Sequence, residues 1–282
     1  MPLRSIRLVA LLGLASGLIL LAQRPFKEYP AIEYDNFPKP ADWQNRAEWT
    51  RGRLRYPDIY GYPFKQLLMQ DGRDFPGYWS MDYPRSDRHL LEGVRRLTRI
   101  ESRSVEQVVS LDGTSDIYNW PVIYGVEVGH WLLPDDQAQQ LREYLLRGGF
   151  LMVDDFHGEQ EWRIFAAGMS KVFPERPIVD LDSRDPIFHT IYDLNDRFQV
   201  PGAQYFDTGR TYEPGMGGNL AAGKEAHWRG IYDDKGRIMV AICHNMDLGD
   251  GWEHSDEAAY KEEWAGLAYK LAMNYFVYDL TH

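Results

Sequence analysis

From about residue 86 onward, apolar positions recur with two alternating periods. Behind Ser86 and Asp87, either of which can cap a helix, Leu90, Leu91, Val94 and Leu97 recur at helical spacing. Val105 to Leu111 reads as a strand, and so does Val122 to Val128, bounded by Pro121 and Gly129. Pro134, Asp135 and Asp136 open a helix with Ala138, Leu141 and Leu145 on one face, and Gly148 and Gly149 stand where its end is expected. Phe150 to Val153 is an unbroken apolar run, the pattern of a strand covered on both faces. A further helix is expected over about Glu159 to Val172, with Trp162, Phe165, Ala166 and Met169 along one stripe. This alternation predicts a parallel sheet with crossover helices. Gly230 to Tyr232 and Arg237 to Cys243, joined by Asp233 to Gly236, predict a hairpin. A last helix is expected from about Asp256 to Tyr278, burying Tyr260, Trp264, Leu267, Leu271 and Tyr275.

The beginning of the chain has neither period. Arg4 and Arg7 precede Leu8 to Ala22, an unbroken apolar or small stretch, which is the layout of a secretory address. As a helix it would span roughly 22 Å, short of the ~30 Å hydrocarbon core. A cleaved signal peptide suits that length, whereas Arg24 and Lys27 and the lack of a small-x-small cleavage site suit an uncleaved N-terminal anchor. Residues 23 to 52 carry Pro25, Pro30, Pro38 and Pro40 with the aromatics Phe26, Tyr29, Tyr34, Phe37 and Trp43, as in an extended tether or a strap over a domain surface. The expected organisation is thus 1–22 signal peptide or anchor, 23–52 strap, and 53–282 one α/β domain.

Composition narrows the function classes. Lys plus Arg is 31 against Asp plus Glu 42, a net charge of −11. Without residues 1–22, which hold two arginines and no acid, 29 bases face 42 acids and the charge is −13. That argues against nucleic acid as a partner. The single cysteine, Cys243, excludes an intramolecular disulfide and a cysteine-built zinc site, and its place in a hairpin strand suits a buried structural thiol. No nucleophile-elbow serine motif, phosphate loop, dinucleotide fingerprint or zincin motif is present, so no cofactor is expected.

Three segments carry candidate chemistry. Phe150 to Gly158 puts Asp154, Asp155 and His157 at a strand end before a helix, where open α/β sheets bind ligands. Adjacent strand residues point to opposite faces, so the two aspartates do not form one dyad. One can face a cleft with His157, or one can simply cap the helix. Asn245 to His254 gathers Asn245, Asp247, Asp250, Trp252, Glu253 and His254 past another strand end. These side chains suit a polar ligand or a hard metal, without calcium-loop spacing, or a solvated acidic turn. Tyr78 to Arg85 combines aromatics with Asp82 and Arg85, which fits either a polyhydroxylated ligand or a packed cover over the sheet edge.

The string Leu141 to Gly158, reading LREYLLRGGFLMVDDFHG, resembles the hallmark of a bacterial family, domain of unknown function 4159. Val172 to Pro177, Gly230 to Asp234, Asn245 to Glu253, and Asn274 to Tyr278 with Thr281 and His282 add to the likeness, which spans about Arg53 to the C-terminus. The resemblance carries no established activity. It implies a flavodoxin-like fold similar to the class I glutamine amidotransferases, with a mostly parallel sheet flanked by helices and a C-terminal hairpin and helix. Amidotransferases place a cysteine after the strand that follows the Gly-Gly-ended helix. Here that place reads Asp154-Asp155-Phe156-His157, so glutaminase activity is not expected.

Two functional expectations follow. One is an exported module, in the periplasm or at the periplasmic face of the inner membrane, that touches the membrane only through its N-terminal segment and binds an envelope protein or a glycan. The other is a carboxylate- and histidine-based hydrolase of carbohydrate or peptide, metal-assisted or not. It requires the loops of His157 and Asp250 to converge.

Overall fold

The computed structural model describes residues 24–30, 37–59 and 75–282; the segment 1–22 and part of the strap, including Tyr34, lie outside them. Seven strands follow one another along the chain: β1 (Gly52–Arg55), β2 (Gln107–Ser110), β3 (Val122–Val126), β4 (Phe150–Asp154), β5 (Val179–Asp180), β6 (His227–Tyr232) and β7 (Ile238–His244). They form one sheet in the order β2-β1-β3-β4-β7-β6-β5. The first five strands of that order are parallel, while β6 and β5 add an antiparallel edge. The helices are α1 (Arg85–Leu97), α2 (Asp135–Leu146), α3 (Gly158–Val172), the short α4 (Gln204–Thr208) and α5 (Leu248–Glu253), and α6 (Glu262–Thr281). Among the described residues no helix is long and apolar enough to cross a membrane.

The period of two explains the layers. Every residue of β3, β4 and β7 is buried. Val122, Tyr124, Val126, Phe150 and Met152 join Leu90, Leu91 and Val94 of α1 and Leu267, Leu271 and Tyr275 of α6 in one core. Ile123, Leu151 and Val153 join Leu141 and Leu145 of α2 and Phe165 and Met169 of α3 in the other. Successive residues feed opposite faces, so the sheet is the middle of three layers. Helix α2 ends as the glycines predict. Gly148 takes φ 105°, Gly149 N–H donates to Tyr144 O at 3.0 Å and Gly148 N–H to Leu145 O at 3.2 Å, the paired bonds of a Schellman motif.

Three elements differ from expectation. Strand β1 begins inside the strap's expected span, and Trp49 just before it is buried and bridged to Ser102. Arg51 and Arg53 are fully buried there because both guanidinium groups pair with the buried Asp87 of α1; Arg53 Nε lies 2.8 Å from Asp87 Oδ2. The final helix starts at Glu262 rather than near Asp256, after turns closed by Glu257 N–H to His254 O and Tyr260 N–H to Glu257 O, each 3.0 Å. The acidic segment past β7 holds helix α5, which packs between α1 and α6.

Candidate active site

All four non-glycine residues with positive φ among the described residues are polar and stand at one edge of the sheet. Glu127 (52°), Asp155 (53°) and Asn245 (62°) are each the first residue beyond β3, β4 and β7, and Asp82 (59°) lies just before α1. Three parallel strands thus end in the same way. The left-handed turn swings each chain off the sheet and leaves a polar side chain at the carboxyl edge.

The loops after β4 and β7 are laced together. Asp155 N–H donates to Met246 O and Asn245 N–H to Phe156 O, both at 3.0 Å. Asn245 Oδ1 accepts Gly158 N–H at 2.8 Å, and its Nδ2 donates to Ala222 O and Glu225 O at 2.9 and 2.7 Å. Its side chain is therefore consumed as a clip. Asp154 Oδ2 accepts the Leu248 and Gly249 amides at 2.6 and 3.1 Å, holding the first turn of α5. Neither aspartate caps α3, whose N-cap is His157.

On the other face Asp155 Oδ1 lies 3.2 Å from His157 Nε2, and Glu213 Oε1 lies 3.8 Å from the same nitrogen. Glu213 comes from the glycine-bearing loop 209–223, which is seated on the start of α3. A Cβ on Gly158 would come within 2.8 Å of Pro214 O, and Glu161 Oε1 accepts Met216 N–H at 2.5 Å while its Oε2 accepts His157 N–H at 2.5 Å. Gly202 joins this group to the Asp247 loop. A Cβ there would sit 2.6 Å from Glu213 Oε1, 2.7 Å from Asp247 Oδ2 and 3.0 Å from Asp250 Oδ2. The His157 and Asp250 loops therefore converge, with Glu213 between them. Asp82, Asp247 and Asp250 carry oxygens within 4.8 Å of one another, and Glu127, His130 and Glu161 form a neighbouring group of the same kind.

Crowding of acids shows in their proton affinities. Burial, with Asp250 beside it, raises the Asp82 carboxyl well above the ordinary carboxylate range. Burial and the nearby Glu127 do the same to Asp155, burial and Asp155 to Asp247, and burial and Glu161 to Glu127. Asp154 is raised to about 6 by burial, offset in part by the Tyr124 hydroxyl and then by the α5 amides. Asp250 goes the other way: burial is overridden by hydrogen bonds with His254 and Asp247, and it stays below the usual range. His254, despite burial, is raised to about 9 by Asp250 and Glu257.

The structure therefore brings together Asp82, Asp155, His157, Asp247 and Asp250 from three sequence segments, with His254 behind Asp250 at 3.4 Å. Glu253 is buried next to Asp250 and His254. Arg85 stands apart, paired with Asp256 and Glu257 at 2.8 and 3.0 Å. Trp252 is fully buried, edge-on to Tyr124 and under Arg51, as part of the core. Cys243 is buried inside β7, and burial pushes its thiol far above the ordinary range. Sequence reasoning missed Glu127, Glu161 and Glu213. An acid at the end of the apolar run 122–128 was a signal for the first. Nothing local marks Glu213, which reaches the site only through the path of its loop.

Among curated proteins none matches the chain. A family model does, over residues 67–280, so the match starts after β1 although that strand lies between β2 and β3 in the sheet. By that match, which covers well over half of its length, the chain belongs to the family described as Domain of unknown function (DUF4159).

Proposed function

We propose that the carboxyl edge of the sheet is the active site of a hydrolase acting on a glycosidic or peptide bond. The observation that carries this reading is the position of His157 Nε2 between Asp155 Oδ1 and Glu213 Oε1, at 3.2 and 3.8 Å. Asp155 and His157 share a proton, give it to the departing oxygen or nitrogen, and regain one from the water whose hydroxide adds to the scissile carbon; Glu213 orients the imidazole and the water. The strand order β2-β1-β3-β4-β7 supports a flavodoxin-like, amidotransferase-like class for the fold. In that frame Asp155 occupies the strained turn between strand and helix where an elbow nucleophile stands. Export to the periplasm, by signal peptide or anchor, is proposed on the N-terminal pattern alone.

A second reading, recognition of an envelope glycan or protein partner without turnover, is favoured by the exposed Phe206 ring standing edge-on to His254 at 5.1 Å, a surface on which a sugar could stack. Chromogenic glycosides and fluorogenic peptides, offered to the full chain and to Asp155→Asn and His157→Gln, decide between them. The hydrolase reading expects turnover that falls by about 10²-fold or more in both variants. Turnover unchanged in folded variants sinks it, and binding of glycan without turnover leaves the recognition reading.

A further inference from the structure

The trio Asp82, Asp247 and Asp250 lies beyond the proton-transfer pair and makes no use of it. Its three carboxylates come from different places: the turn before α1, the N-cap of α5, and the third residue of α5. Much of their capacity is committed. Asp247 Oδ1 accepts Asp250 N–H at 2.7 Å, Asp250 Oδ2 accepts Ala203 N–H, and Asp250 Oδ1 faces His254. Asp82 Oδ2 is not committed. It is buried, with 7% of the residue exposed, and has no hydrogen-bond partner among the described residues. It points over Gly249, where a Cβ would collide with it and would lie 3.3 Å from Asp247 Oδ1 and 3.0 Å from the Tyr124 hydroxyl. That hydroxyl lies beside Asp154 but makes no hydrogen bond of normal geometry to any described residue. The missing side chain at Gly249 thus lets oxygens of Asp82, Asp247 and Tyr124 converge above its Cα, with Asp250 adjoining.

A buried carboxylate oxygen without a donor is costly, and three carboxylates in one place more so. Among the described residues the only cation within ion-pair distance of the trio is His254, and it serves Asp250. An all-oxygen donor set suits a hard ion of the calcium, magnesium and manganese class and offers nothing to a metal that prefers nitrogen or sulfur. We propose that Asp82, Asp247 and Asp250 bind one hard divalent cation over Gly249, with Asp82 Oδ2 as the ligand that has no other role. This does not depend on the hydrolytic reading, because the cation would bind whether or not Asp155 and His157 turn over a substrate.

The test is binding of calcium, magnesium, manganese and zinc, each alone, to chelator-treated full chain by calorimetry and thermal unfolding. One of the three hard ions should bind with unit stoichiometry, with a dissociation constant on the order of 0.1–1 mM or tighter, and should raise the melting temperature by ~2–5 °C when in excess. Asp82→Asn, which replaces the oxygen offered to the cation while keeping the side chain's shape, should lose the cation-induced rise. Gly249→Ala, whose Cβ would press directly on Asp82 Oδ2, should weaken binding at least tenfold; Glu92→Gln, on the surface of α1, should bind as wild type. The proposal is overturned if no hard cation binds or shifts melting, if zinc alone does, or if Asp82→Asn and Gly249→Ala both bind normally.

Discussion

Asp155 and Asn245 hold equivalent places on neighbouring parallel strands, one residue past β4 and β7, both in the left-handed region, and each loop donates an amide to the other. One side chain faces the acidic cluster and the other is spent clipping the neighbouring loops together. The pair therefore separates a candidate chemical role from a structural one on identical backbone geometry.

Asn245 makes three hydrogen bonds to backbone groups of two further segments. Asn245→Gly keeps the backbone conformation accessible but leaves Gly158 N–H and two carbonyls without partners. A loss of roughly 2–4 kcal/mol in denaturant unfolding is expected. A loss below about 0.5 kcal/mol would show that water replaces the clip at no cost.

Asp87 is the shared partner of two fully buried arginines, and the same guanidinium groups stack on Tyr124, with Arg51 4.2 Å from the ring centre. Asp87→Asn leaves two buried cations short of their counter-charge and should destabilise the fold by about 3–5 kcal/mol. The exposed Glu92–Arg96 pair at 2.6 Å is the contrast: Glu92→Gln should cost about 0.5 kcal/mol or less.

Asp279 gives a pH signature away from the site. Burial raises its carboxyl to about 7, although Arg237 at 3.3 Å pulls the other way. A carboxyl whose folded value is raised stabilises while protonated, fully below its unfolded value near 4, and that contribution is lost as pH rises through about 7. Between pH 4 and 8 the wild type should lose ~2–4 kcal/mol from this group. Unfolding measured across that range should be flatter for Asp279→Asn; an equal slope in both proteins would rule the group out.

Loop 209–223 is held against the start of α3 by Glu161, whose two oxygens take the amides of Met216 and His157. Glu161→Ala should release the loop while leaving α3 folded. Hydrogen exchange at Met216 is expected to rise by about tenfold or more, which corresponds to ~1.4 kcal/mol of lost local protection. Exchange unchanged at that amide would mean that Glu161 does not seat the loop.

Much of the architecture was legible because it rests on local rules. Helix α2 announced its end through Gly148 and Gly149, and α3 its buried stripe through Phe165 and Met169. The hairpin of β6 and β7 was visible in the turn residues Asp233 to Gly236. Strand β1 was not, because Arg51 and Arg53 read as surface positions until Asp87 is placed opposite them. Helix α5 was hidden for a similar reason. Gly249 and Gly251 are poor helix formers, and the segment is helical because Asp154, nearly a hundred residues earlier, accepts its first amides. Trp252, readable as a ligand-facing indole, is core because α1 and α6 close over it.

By itself the sequence determined the alternation of strands and helices, the acidity, the place of the single cysteine in a hairpin strand and the placing of Asp155 and His157 at a strand end. Those follow from periodicity, composition and turn chemistry within a few residues of one another. Only the tertiary structure decided that Asp82, Asp155, Glu213, Asp247 and Asp250 cluster, that Arg85 and Trp252 lie outside the cluster, and that Asn245 is a clip. Those outcomes depend on which strand ends become neighbours and on how a distant loop is seated, and no local pattern encodes distances between segments that meet only when the sheet forms.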